Sequence, residues 1–299
     1  MAARRCDFLL LLLAVALAGR AVVGQAAPPN SFPDFSGVWA HPFLTGFEPP
    51  ASGPGPVLNL SRRPNGVANF GKLVGDYRNP ILKPQAAEIV KKHGEISLAG
   101  LGYPTPSNQC WPGGVPYVFW DFLMEMFQAP DHITMIYRHG NEVRRVRMNE
   151  QHPVKLSPSW YGDSVGHYEG DALVIDTVGV KHGPFAMQDM YGTPFSDKLH
   201  VIERYRLLDY EQAKDAIERN RKENFQASGG GDFDPNYRGK VLQLHFTVED
   251  AGVFTTPWTS TITYRPALGP FIELICAENR REYYAGRDSD IPHTDTPDF

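Results

Sequence analysis

The 299-residue chain carries 29 Lys and Arg against 34 Asp and Glu, a formal net charge of −5. An acidic balance, with no run of Lys and Arg interleaved with aromatics, argues against a phosphate-rich partner and makes nucleic-acid binding an unfavourable reading. No interior segment is long and apolar enough to span a membrane as a helix.

The N-terminus has the three parts of a secretory signal peptide: Arg4-Arg5, the apolar run from Phe8 to Ala18, and small residues before a cut near Ala27. The run is about half the ~20 residues of a membrane-spanning helix. Cleavage removes three Arg and one Asp, leaving 26 basic and 33 acidic side chains and a net charge of −7. The expected location is the periplasm or the extracellular medium. Cys6 leaves with residues 1–26, and Cys110 and Cys276 remain. An even pair in an exported chain is read as a disulfide joining an early loop to the last strand. Residues 27–299 are expected to form one β domain, with a helical insertion at about 210–232 and a loosely held C-terminal tail.

After an extended leader, Phe35 to Trp39 begins an aromatic strand. The Pro- and Gly-rich residues 48–66 then exclude a regular element. Lys83 to Gly94 reads as a short helix, with Pro84 tolerated in its first turn and Gly94 as its stop. From Cys110 onward the pattern changes to period two, with strand-length runs Leu123–Gln128, Ile133–Arg138 and Val143–Met148. Gly140 and Asn141 suit the tight turn between the last two. The segment from Trp160 to Thr177 reads as two strands joined at Glu169-Gly170.

Leu199–Leu208 places Val201, Glu203, Tyr205 and Leu207 on one side. Residues 211–224 read as a solvent-facing helix. Val241–Asp250 alternates apolar Leu242, Leu244, Phe246 and Val248 with polar Gln243, His245, Thr247 and Glu249. Thr259–Arg265 and Phe271–Cys276 complete the set. Short, regularly spaced strands predict a mainly β fold, an antiparallel β-barrel or strongly curved sheet with a few short helices.

Several motifs, Asp34-Phe-Ser-Gly-Val-Trp39, Cys110-Trp-Pro-Gly-Gly-Val-Pro116, Gly162-Asp-Ser-Val-Gly-His-Tyr-Glu-Gly-Asp-Ala-Leu-Val-Ile-Asp-Thr177 and Leu199-His-Val-Ile-Glu-Arg-Tyr205, together with Pro257-Trp258-Thr259 and Ile275 to Asn279, resemble those of a functionally uncharacterised group of exported soil-bacterial proteins. The resemblance spans nearly all of residues 27–299 and brings no activity with it. Gly37-Val38-Trp39 also resembles the Gly-x-Trp start of lipocalin-like barrels, which implies a barrel holding one small apolar ligand.

Candidate chemistry is sparse. Asp163 and His167 share a strand face and could act as acid and base across a substrate. Glu203 is a third ionisable candidate. If buried it needs an arginine from elsewhere, whereas a cross-strand surface ion pair is the slightly favoured reading. Arg144, Arg145 and Arg147 offer partners, with Arg145 read as facing away from the other two. His245, between Gln243 and Thr247, is a further candidate. Trp39, Trp120, Trp160, Tyr205 and Arg145 are taken as ligand-binding positions. No His-x-His or His-x-x-x-His pair, no His-Glu-x-x-His helix and no Gly-rich phosphate loop is present, so neither a metal nor another cofactor is expected. Three functions remain: a barrel binding a small apolar or aromatic molecule in an internal cavity, a cofactor-free lyase, isomerase or hydratase, and a structural protein with a filled interior.

Overall fold

Period-two strands bury one face each, and here they do so around a common axis. In a computed structural model, nine strands form a closed barrel: β1 Gly37–Ala40, β2 Leu123–Gln128, β3 His132–Tyr137, β4 Glu142–Met148, β5 Asp163–Glu169, β6 Ala172–Val178, β7 His200–Asp209, β8 Lys240–Glu249 and β9 Trp258–Pro266. The structure describes residues 32–42, 46–183, 185–223 and 233–276, and the backbone of 281–282 and 287–288, which form a two-stranded pair. The segment expected to be a signal peptide, the Gly229–Gly231 stretch and most of the C-terminal tail lie outside the described residues.

Closure follows from β1, which pairs with β2 through Trp39–Met124 and with β9 through Ala40–Arg265. A ring with an odd number of strands cannot alternate direction all the way round, so at least one pair must be parallel. That pair is β4–β5, with Arg147 opposite Val165 and Met148 opposite Gly166. The largely antiparallel barrel expected from the sequence is what forms, with this one parallel pair as the exception. Residues 149–162 supply the crossover that a parallel pair needs. Consequently β2, β4, β5, β7 and β9 begin at one end of the barrel, and β1, β3, β6 and β8 finish there.

Side chains fill the lumen. Met124 and Met126, Met135 and Tyr137, Ile175, Tyr205, Leu244, Phe246, Ile262 and Tyr264 are each fully buried. Gly166 makes room for its parallel neighbour, since a Cβ there would lie 2.9 Å from both Met148 Sδ and Val146 Cγ1. In the middle sits an ion pair: Arg144 Nη1 and Nη2 donate to Glu203 Oε2 and Oε1 at 2.8 and 2.6 Å. Arg144 also donates to Ser164 Oγ and Thr177 Oγ1, and the Tyr205 hydroxyl donates to Glu203 Oε2.

Two helices flank the barrel. α1, Pro84–Leu98, starts at the expected proline but continues past Gly94. Gly94 is a contact point instead of a stop, since a Cβ there would press on Val74 Cγ1 at 3.0 Å. α2, Tyr210–Glu223, faces solvent apart from Ala213, Ala216 and Asn220. It is pinned by Arg219, which binds the buried Glu48 at 2.9 Å. Phe271–Cys276 is not a strand. The chain there runs back to the end where β2 begins, touches it through a bridge between Leu274 and His139, and closes the Cys110–Cys276 disulfide.

Candidate functional site

The end of the barrel where β2, β4 and β5 begin is covered by the segment Thr105–Trp120, tied down by the disulfide. Tyr117–Trp120 forms a buried 3-10 turn, and before it the motif Cys110 to Pro116 folds over the barrel rim. Gly113 and Gly114 are required by close approach. A Cβ on Gly114 would meet the Trp160 carbonyl oxygen and Val180 Cγ1, both at 2.6 Å, and one on Gly113 would meet the Tyr117 ring at 2.8 Å.

Two adjoining spaces open beside this loop, and Trp111 lines both. The first is a shallow groove, partly open to solvent, between Trp111, Trp160, Phe185, Met187 and Phe195. Trp111 stands edge-on to Trp160 and Phe185, with ring centroids 5.0 and 5.5 Å away. Lys181 Nζ lies 4.5 Å above the Trp160 ring. Gly183 forms part of the wall, where a Cβ would approach Trp111 and Trp160 at 3.1 and 3.3 Å.

The second space is small, polar on one side and aromatic on the other. Ser107, Trp111, Tyr117, Trp120, Asp121, His139 and Glu142 line it. The folding pattern explains the convergence. Asp121 precedes β2, His139 follows β3 and Glu142 opens β4, so three consecutive strand ends deliver one ionisable group each. Glu142 Oε1 accepts the Gly113 N–H at 2.8 Å, while its Oε2 is buried with no hydrogen-bond partner among the described residues. Burial pushes the Glu142 carboxyl up to about 8, against the Gly113 N–H that lowers it and with Asp121 adding repulsion. Burial likewise raises Asp121 to about 7, although it accepts the His139 N–H at 2.6 Å and has Arg138 nearby. His139 donates from Nε2 to the Ser107 carbonyl at 3.3 Å, and burial holds its pKa down. The Tyr117 hydroxyl, pushed up to about 12 by burial, pairs with Ser107 Oγ at 2.8 Å.

The residues singled out from sequence distribute differently. Trp160 lines the groove and Trp120 the polar space. Trp39 and Tyr205 are core residues. Glu203 lies in the lumen on Arg144, so the surface ion pair favoured for it is corrected. The arginine facing inward is Arg144 alone; Arg145 and Arg147 both point outward, because residues 145 and 147 share a strand face and 144 does not.

Asp163, His167 and His245 are also on the outer face, not in a cavity. Asp163 binds Arg147 at 2.7 Å and His152 at 2.6 Å, His167 binds Glu169 at 2.9 Å, and His245 faces Thr261 at 3.4 Å. Around Asp163 a chain of carboxylates and imidazoles crosses the outer sheet. His152 Nε2 and His200 Nε2 each lie 3.0 Å from Asp176 Oδ1, and His200 Nδ1 lies 3.2 Å from Glu249. Among the described residues no group of three or more His, Cys, Asp or Glu converges to hold a metal ion.

Sequence reasoning missed Asp121, His139 and Glu142. The available signal was the Cys110-Trp-Pro-Gly-Gly motif, whose paired glycines mark a backbone packed closely against something else. No family model, curated protein or solved structure matches the chain. Among the described residues, no helix is long and apolar enough to cross a membrane.

Proposed function

We propose that this protein is an exported binding protein for a small aromatic or apolar molecule, which it holds at the barrel mouth instead of in the lumen. The observation that carries the reading is the position of Trp111, which walls an aromatic groove on one side and a pocket of buried polar groups on the other. Apolar walls joined to a few convergent polar groups are the general form of a small-molecule site. A filled lumen with a fixed ion pair makes a rigid support for such a rim site. The disulfide, a bond of oxidising compartments, agrees with export.

The test is a thermal-shift and tryptophan-fluorescence screen of the oxidised protein against single-ring and apolar metabolites. A ligand at one hundred times its Kd raises stability by about 2.7 kcal/mol. Binding that Trp160→Ala weakens and Trp39→Phe leaves alone supports the rim site. A flat screen, or hits insensitive to Trp160, removes it.

A further inference from the structure

The groove explains how the site could hold an apolar body. The polar pocket beside it raises a different question, because a buried carboxyl without a partner is a costly feature. Glu142 spends one oxygen on the Gly113 N–H and leaves Oε2 buried and, among the described residues, unpaired at the wall of the space. Among the described residues, the charged and titratable groups around it are Asp121, His139, Tyr117 and Tyr161. None of these supplies a permanent positive charge. Arg138 acts on Asp121, and Lys181 lines the neighbouring groove, where it lies over Trp160. The remaining wall is aromatic: Trp111, Trp120 and Tyr117. A carboxyl set among aromatic rings is the chemistry that recognises an organic cation, which gains from the ring faces and from a charge-assisted hydrogen bond together.

We propose that Glu142, with Trp111, Trp120 and Tyr117, forms a subsite for the cationic nitrogen of a small aromatic amine whose ring lies in the Trp111–Trp160–Phe185 groove. This rests on the binding function proposed above and names the ligand class for the same site. Glu142 Oε2 accepts an N–H of the ammonium group, and Trp111 contacts both halves of the ligand. A second consequence follows from charge balance. In the free protein burial favours the neutral carboxyl. An arriving ammonium favours the carboxylate, so binding near neutral pH expels the Glu142 proton to solvent.

The experiment uses the full oxidised protein and a matched pair of probes, 2-phenylethylamine and 2-phenylethanol, followed by tryptophan fluorescence and calorimetry. The amine should bind roughly tenfold or more tighter than the alcohol, and Glu142→Gln should abolish that preference. Calorimetry near pH 7 in buffers of different ionisation enthalpy should register proton release for the amine and none for the alcohol. This readout needs wild type alone and survives a Glu142→Gln chain that fails to fold. Equal binding of amine and alcohol, without proton release, overturns the cation subsite and leaves the groove as a site for neutral aromatics. No binding of either probe overturns the subsite for this amine class, and the broader metabolite screen then decides whether the rim binds anything.

Discussion

Arg144 and Glu203 face each other across the barrel lumen in a two-pronged ion pair, with side-chain exposures of 1% and 0%. The pair closes on itself. Every Arg144 nitrogen finds an oxygen of Glu203, Ser164 or Thr177, and the Tyr205 hydroxyl completes Glu203. Burial alone would lower the arginine pKa, and the facing carboxylate outweighs it, so Arg144 stays charged. Breaking a buried pair strands one charge, at a cost of about 3–5 kcal/mol, whereas replacing both partners by apolar groups is often near neutral. Arg144→Met should therefore lower the urea midpoint sharply, and Arg144→Met with Glu203→Leu should recover much of the loss. Equal damage in the single and double variants would contradict this account.

The disulfide spans 166 residues and fixes the loop over the barrel mouth. Chain entropy assigns a closure of that length about 5 kcal/mol, an upper figure from which native strain subtracts. Paired Cys110→Ala and Cys276→Ala substitutions should lower the melting temperature. They should also speed proteolysis within residues 267–276 and 105–116 before the barrel itself is cut. Unchanged stability with an intact fold would mean that the loop is held by the packing of Gly113 and Gly114 alone.

How far the sequence could be read depended on whether a feature was periodic or convergent. β7 and β8 were legible because Val201, Glu203 and Tyr205, and Leu242 to Val248, put apolar or buried positions on alternate residues. The parallel β4–β5 pair was not, since a strand has the same alternation whichever way its neighbour runs. Phe271 to Cys276 has strand composition but makes only an isolated bridge at Leu274, because the disulfide and the His139 turn place it beside the barrel end. Glu142 sits one residue before the expected strand Val143–Met148, with nothing local to mark it as buried. Its burial comes from Gly113, 29 positions earlier, a contact that no local pattern records. Trp120 and Trp160 were found as aromatics in general, whereas their placement on either side of Trp111 needed the fold.

Glu48 gives a pH dependence of definite sign. Burial raises its carboxyl to about 8, despite the opposing effect of Arg219. Its folded pKa therefore exceeds the unfolded value of about 4.3. Between those values the unfolded chain holds fewer protons than the folded one, so stability falls as pH rises through that window and the loss is complete above it. Glu48→Gln should flatten the stability profile between about pH 5 and pH 9 and gain relative to wild type at the alkaline end. A variant that tracks wild type across that range would show that Glu48 is ionised throughout.

The outer-face chain has the opposite acid-side behaviour. Arg147 and then His152 hold the Asp163 pKa low despite partial burial. For Asp176 burial acts upward, and hydrogen bonds from His200 and His152 outweigh it. These carboxylates contribute stability above their unfolded values, lost as pH falls through the lower folded ones. Asp176 raises the His200 pKa, against burial and with help from Glu249. That contribution is full below the unfolded value of about 6.5 and is lost as pH rises through the folded one. His200→Gln should cost stability near pH 5.5 and progressively less by about pH 8.5, a modest effect because the groups are partly exposed. Proton NMR titration of the His200 ring should give a pKa above the ordinary imidazole range, and a lower value would refute the argument.

Gly183 offers a way to close the aromatic groove without touching the barrel. Its backbone needs no left-handed conformation, and an added Cβ would stand 3.1 Å from Trp111 and 3.3 Å from Trp160, so a larger side chain projects into the space between those rings. Gly114 is a contrasting control, since its Cβ would strike the Trp160 carbonyl oxygen and Val180 at 2.6 Å and lift the loop off the rim. Gly183→Leu should lower the melting temperature somewhat, because the Trp111 and Trp160 rings must give by a few tenths of an ångström, but less than Gly114→Ala, whose 2.6 Å contact is with backbone. It should also lose aromatic-ligand binding at least tenfold, by steric exclusion. Gly114→Ala should lose stability and binding together, because relieving a contact that short moves backbone. Retained affinity in Gly183→Leu would place the ligand elsewhere on the molecule, and retained stability in Gly114→Ala would mean that the loop can slide without leaving the rim.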